Sequence, residues 1–411
     1  MLVIWFVSFF IRLNSQFQTE SNLREKVGKR IMVEGKISSE PILQGSSQRF
    51  YIGRVMVYAK QYPVYEYGQN VQISGTLQRK VVNKWYSRFS LMYPSIKVIK
   101  AESSKIMGLR RKIEGGYNQV LSEPEASLLA GIVLGSKRGL PREFYDSLQK
   151  TGTLHIVVAS GFNVMIIISF VIKMFAGIFK RRMAVSLGIL AVIGYVIMAG
   201  GEPAIVRAAI MGSLAFFGQV IGRKADTIRL LLATVMLMLI YSPVLIWDVG
   251  FQLSVAATLG LIFISPLLNG VFKHVFVIGE YMSETVSAQI MVWPILMIYF
   301  NSLSLFSVVV NSLILWLVPV LMTWGGVLAL FSLVFTGGGL EFLVSIVGFI
   351  CYSGLMVMVR VIEWFGKRSF ITWPMKDGGV VEGLSWWWAV GYYIVLFAVI
   401  FRVKRLKNIG G

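Results

Sequence analysis

The chain has 411 residues, of which 56% are hydrophobic and only 15% charged, yet 40 Lys and Arg stand against 20 Asp and Glu, a formal net charge of +20. Soluble globular chains carry about 25% charged and about 45–50% apolar residues, and disordered chains are poor in apolar ones, so both classes are excluded. A positive surplus on so apolar a chain points to a membrane protein that meets an anion, a phosphate backbone or a lipid surface.

Residues 1–13, MLVIWFVSFFIRL, open with an apolar run that has no basic segment before it and no small-residue cleavage site after it. The run is shorter than the about 20 residues of a full span. It reads as a membrane anchor segment, the end of a short or truncated helix, rather than as a cleaved signal. Residues 14–104 lack long apolar runs and alternate instead. Strands are expected at 30–37, 49–58, 70–77 and 95–99, separated by turn formers such as Glu40-Pro41, Gly45-Ser46-Ser47 and Tyr67-Gly68. Short, closely spaced strands in under about 100 residues predict a small β-barrel or sandwich.

Residues 105–150 read as connecting and interfacial helices: a polar, basic helix near 105–122, then an apolar 125–134 segment too short to span, interfacial or re-entrant. From 151 to 411 the apolar runs reach span length, at about 154–179, 183–199, 203–221, 227–246, 249–268, 284–300, 303–334, 341–365 and 386–402, giving about 8–10 spans. Pro319 leaves the 303–334 run open as one broken helix or two. Lys180-Arg181-Arg182 and Arg223-Lys224 lie two spans apart, on one side, which the positive-inside rule makes cytoplasmic. The strand-rich region then lies outside. The side of the basic 402–407 segment depends on how often 303–334 crosses. The fold expected is a polytopic α-helical membrane protein with a small extracytoplasmic β-barrel domain.

Polar residues inside apolar helices are costly and mark function. Three groups stand out. The 151–164 segment, TGTLHIVVASGFNV, holds His155, Ser160, Gly161 and Asn163, with His155 and Asn163 two helical turns apart. Glu202, after Gly200-Gly201, and Arg207 can pair near the outer mouth. Asp248, Gln252 and Ser254 enter a third span from the same side. Ordinary helix packing, snorkelling and loop exposure account for each residue singly; their convergence toward the outer half is what suggests a polar path. In the strand-rich region, cations interleave with aromatics, as in Arg49, Tyr51, Arg54, Lys60, Lys84, Trp85 and Arg88. Non-specific single-strand binders combine such cations with stacking rings. The alternative is that the rings fill a core and the Lys residues guard strand edges. One Cys, Cys351, and two His, His155 and His274, allow neither an intramolecular disulfide nor a zinc site of His and Cys ligands.

The GTLHIVVASGFNV stretch resembles the T-H-L-L-A-I-S-G-L-H-V signature of the ComEC competence family, inner-membrane DNA-uptake channels of naturally transformable bacteria. PAIVRAAIM (203–211), SPVLIWDVGFQLSVAATLGL (242–261) and LLAGIVLGSKRGLP (128–141) are similar to further segments of that family, and RIMVEGKISSEP and YGQNVQISGTLQ to its external OB-like domain. The resemblance implies a channel for single-stranded DNA in the bacterial inner membrane, with an extracytoplasmic OB-like domain that binds DNA. It implies single-stranded DNA and the lipid bilayer as partners. A separate nuclease chain, an external DNA receptor and a cytoplasmic ATP-driven motor are further candidates, and a homodimer is compatible with it. The family's second signature His is Asn163 here, and the metal-ligand motif of its metallo-β-lactamase-like domain is missing from these residues. No catalytic residue, metal or cofactor is therefore expected. A secondary transporter of a small anionic solute and a membrane-anchored binding scaffold are the alternatives.

Overall fold

The apolar N-terminal segment does not stop at residue 13: it continues as one helix, α1 (Leu2–Arg24), before the first strand. The computed structural model describes residues 2–39, 41–44, 47–53, 55–81, 87–100, 105–136, 139–157, 161–222, 226–272, 278–300, 302–304, 306–334, 341–368, 372–374 and 386–409.

The strands are β1 (Arg30–Lys36), β2 (Ile42–Gln44), β3 (Ser47–Ile52), β4 (Val55–Lys60), β5 (Asn70–Val81), β6 (Ser87–Met92) and β7 (Ser95–Lys100). One strand was expected over 49–58. The chain instead turns at Gly53, φ +55°, a conformation that costs glycine no Cβ clash, and forms the hairpin β3–β4. Strand β5 is the hub. It pairs antiparallel with β1 along one edge, and with β7 and then β6 along the other. Strand β6 also pairs parallel with β4, β4 antiparallel with β3, and β3 with β2. A bridge from Ile37 to Ile52 joins the end of β1 to the end of β3. Alternation sets the inside: Phe50, Val57, Val71, Ile73, Leu77 and Leu91 form a dry core. Gln48 is buried in the same sheet. Its two Nε2 hydrogens go to the carbonyls of Lys60 and Pro63 at 2.7 and 2.6 Å, with the Gln61 carbonyl a longer, shared contact at 3.3 Å, and its Oε1 accepts from Tyr65 N–H, so one side chain satisfies the turn that follows β4.

The helices that follow are α2 (Lys105–Val120), α3 (Glu125–Leu134), α4 (Arg142–Thr151), α5 (Leu154–Val157), α6 (Gly161–Ala176), α7 (Arg181–Met198), α8 (Pro203–Val220), α9 (Thr227–Tyr241), α10 (Val249–Phe263), α11 (Ser265–Phe272) and α12 (Ile278–Phe300). The short strand β8 (Ser302–Ser304) comes next. After α13 (Ser307–Ile314), α14 (Leu317–Val334) and α15 (Glu341–Gly366), β9 (Thr372–Pro374) pairs with β8, and α16 (Trp386–Ile409) ends the described chain.

Five described stretches are long and apolar enough to cross a bilayer: Leu154–Ala176, Arg181–Met198, Pro203–Val220, Leu317–Val334 and Phe342–Gly366. A sixth results if α10 and α11, bent by 58°, count as one broken span. Shorter apolar helices among the described residues are Glu125–Leu134, Thr227–Tyr241 and Trp387–Val403, and two of the expected apolar runs are divided. Pro243 starts a 3-10 turn after α9, and the 303–334 run divides into α13 and α14. Helix α3 does not lie on a surface. All ten of its residues are buried, enclosed chiefly by α2, α14, α15 and α5. Tyr117 of α2 fixes part of that enclosure, its hydroxyl donating to the Gly325 carbonyl of α14 at 2.8 Å.

Candidate functional site

Arg207 lies one turn inside α8, and only 8% of it is exposed. Its Nε donates to Ser254 Oγ of α10 at 2.7 Å, and its Nη1 lies 3.9 Å from the Met211 sulfur one turn on. On the opposite flank, a Cβ at Gly161 of α6 would stand 3.1 Å from Ala208 Cβ and 3.6 Å from Arg207 Nη2. A side chain at 161 would press on α8, so glycine permits the contact. Three segments far apart in sequence thus meet at one guanidinium. Among the described residues, no carboxylate is ion-paired with it. Arg207 turns to α10 rather than to Glu202, which stands at the N-terminal boundary of α8.

The other polar residues divide between packing and exposure. Asn163, 1% exposed, faces into the bundle and donates Nδ2 to the Ile132 carbonyl of α3 at 3.0 Å. His155 faces away, with Nδ1 3.0 Å from the Gly152 carbonyl, so the expected shared face does not form. Asp248 is the N-cap of α10: its Oδ1 accepts from Phe251 N–H at 2.8 Å, with the Cβ-less Gly250 beside it. Gln252 reaches back with Nε2 to the Ile246 carbonyl at 2.7 Å, leaving Oε1 buried with no partner among the described residues. Ser160 lies outside the described residues.

In the strand domain, Arg49 and Tyr51 alternate with buried Gln48, Phe50 and Ile52 and therefore face outward on β3. The ladder registers Arg49 opposite Tyr58 on β4 and Tyr58 beside Met92 on β6. Lys60 follows Tyr58 on the same face of β4, by the period-two rule. A cation, a ring and a thioether thus cross the sheet in one row, at the roughly 4.8 Å spacing of neighbouring strands. Arg54, Lys84, Trp85 and the Arg88 side chain lie outside the described residues.

Residues 132–406 match the family model described as competence protein. The chain belongs to the competence protein family. This competence-family chain is also 26% identical, over 211 residues, to ComE operon protein 3 of Bacillus subtilis (strain 168). The match covers 51% of this chain and 27% of that relative, so the chain spans well under two thirds of the relative's length. No solved structure matches it. Family membership and the apolar helices together make it a membrane protein.

Sequence reasoning passed over two residues of this competence-family chain that tie its parts together. Arg110 of α2, buried, donates Nε to Glu114 at 3.1 Å and Nη1 to the Met198 carbonyl at 2.7 Å, satisfying the open C-terminal end of α7 just before the turn into α8. Its neighbour Arg111 pairs with Glu66 of the strand domain at 3.0 Å. The only sequence signal was an Arg and a Glu four residues apart on an amphipathic helix.

Proposed function

We propose that this chain conducts single-stranded DNA across the bacterial cytoplasmic membrane, and that its strand domain captures the strand on the outer side. One observation carries the reading: Gly161, Arg207 and Ser254, each from a different motif, converge on a buried guanidinium with no paired carboxylate among the described residues. An apolar side chain would serve the helix contact at lower cost, whereas a guanidinium suits an anion passing the bundle. Ser254 holds Nε, which orients the planar fork, and a phosphate would take the Nη1 position from its weak contact with the Met211 sulfur.

The strand domain is read as OB-like. Support comes from the cyclic order β1-β5-β6-β4-β3, bridged between Ile37 and Ile52, with one parallel pair, β4–β6. Its ligand face is the row Arg49, Tyr58 and Met92 with Lys60 and Tyr51, where cations meet phosphates and rings stack on bases. The extracytoplasmic side is supported by Lys180-Arg181-Arg182 at the start of α7, the opposite end from the Met198 carbonyl that Arg110 holds, and in the sequence by Arg223-Lys224, which follow α8. The channel has no driving force of its own in this reading. A separate nuclease chain, an external receptor and an ATP-driven motor are the partners it calls for.

The test uses the full chain in nanodiscs with a fluorescent single strand, titrated over a salt series. The expected result is salt-dependent binding in which Lys60→Ala lowers the slope of log affinity against log salt by about 0.7, the value for one phosphate contact on a single strand. Binding independent of salt, or absent, refutes the capture role.

A further inference from the structure

Tyr93 is the only non-glycine residue with a positive φ among the described residues, at +46°, and 58% of it is exposed. It stands between β6 and β7, which run on as one bent strand along β5. The bend is forced by packing at the next residue. Pro94 Cβ would lie 2.8 Å from a Cβ at Gly75, so β5 gives way with a glycine where the bent strand presses on it. Tyr93 N–H donates to the Tyr58 carbonyl at 2.7 Å, which fixes the left-handed turn against β4. A left-handed position suits glycine or asparagine, and a bulky residue there carries backbone strain. The ring does not recover that strain by burial, since it projects into solvent. Its neighbours are Met92, exposed, and through Met92 the outward row that leads to Tyr58 and Arg49. The domain's sequence is cationic: residues 30–100 carry eleven Lys and Arg against three Glu. Exposed Lys97 of β7 lies just beyond the bend, and Lys60 lies at the matching end of β4.

We propose that Tyr93 is a stacking platform for a base of the single strand, extending the row Arg49–Tyr58–Met92 around the end of the parallel pair β4–β6. The proposal rests on the capture reading above and adds to it a further base contact, at the bend between β6 and β7. A ring held out on a strained turn, next to cations that take phosphates, suits the flat face that every base presents, so the contact is sequence-tolerant.

The experiment compares the full chain with Tyr93→Gly, Tyr93→Phe and Lys60→Ala, each in detergent and in nanodiscs. A normal oligonucleotide and one of equal length with abasic sites are the probes. Tyr93→Gly is expected to keep or raise the apparent unfolding midpoint, because it relieves the left-handed strain, while weakening binding of the normal strand about 5- to 150-fold, the range for loss of one base–aromatic stack. Tyr93→Phe keeps both the ring and the binding, and Tyr93→Gly binds the abasic strand as the parent does. If the parent binds and Tyr93→Gly binds equally well, the platform is refuted while capture stands. If the parent binds no strand at all, both readings fall, and Lys60→Ala then changes nothing. A loss seen in nanodiscs but not in detergent assigns the ring to the bilayer surface and overturns the proposal, as does a lowered midpoint for Tyr93→Gly together with weakened binding of the abasic strand.

Discussion

Replacing Arg207 by methionine separates a conducting role from a structural one, because the two act on stability and transport with different weights. Holding a guanidinium within a span costs about 2.5–3.5 kcal/mol on the insertion scale. The hydrogen bond to Ser254 offsets about 1.5–3 kcal/mol of that, the usual value for a bond with one charged partner. The two nearly cancel, and methionine fills much of the same volume beside Met211 and Ala208. Arg207→Met is therefore expected to fold with a stability within about 1 kcal/mol of the parent. Transport is expected to fall by about 10- to 150-fold, since the lost phosphate contact is a charge-assisted bond of about 1.5–3 kcal/mol. Arg207→Lys retains the charge but not the fork and is expected to fall between the two. The assay places each variant at the native locus of a transformable host, measures internalised single-stranded DNA per molecule of membrane-inserted protein, and follows thermal unfolding in detergent. Normal uptake per molecule, or loss of the folded protein with no specific uptake defect, would defeat the argument.

Three further substitutions test the supporting structure. Asn163→Leu leaves the buried Ile132 carbonyl without its donor and is expected to destabilise the protein by about 1–3 kcal/mol, whereas Asn163→His keeps an N–H on that side and costs less; detergent unfolding midpoints decide the order. Asp248→Ala removes a helix cap and is expected to cost about 1 kcal/mol, while Asp248→Asn caps equally well and leaves both stability and uptake near the parent; an uptake defect in Asp248→Asn would show that its charge matters. Gln48→Leu removes the bonds to the Lys60 and Pro63 carbonyls and to the Tyr65 amide, so a loss of about 3 kcal/mol and fast hydrogen exchange over 61–65 are expected; slow exchange there would contradict this role for Gln48.

Much of this molecule was legible from residue order. Composition and apolar run length gave the membrane class, and the period-two pattern of Val71, Ile73 and Leu77 gave the inward face of β5. The Gly161, Arg207 and 248–254 segments resemble one family's motifs, and the comparison with known proteins bears out the family. Periodicity could not place the break of 49–58 at Gly53: the inward positions change there from 48, 50 and 52 to 55, 57 and 59, but consecutive apolar residues at 55–57 hide the change of phase. It could not locate the ends of the apolar helices either, since a 3-10 turn and a 58° bend leave hydrophobicity unchanged.

The sequence by itself determined which segments are apolar, which residues are charged and which motifs they sit in, because these are properties of the covalent chain. The partners of those residues were decided only by tertiary structure. Arg207 meets Ser254 across 47 positions and Arg110 meets Met198 across 88. Asn163 serves α3 and not His155, and Asp248 serves its own helix end. Distance along the chain says nothing of distance in space once helices pack side by side. The opening surplus of positive charge is divided in the same way. Arg49 and Lys60 take theirs to an outward strand face, and Arg207, on which the proposed channel role rests, is buried where no charge count would have looked for it.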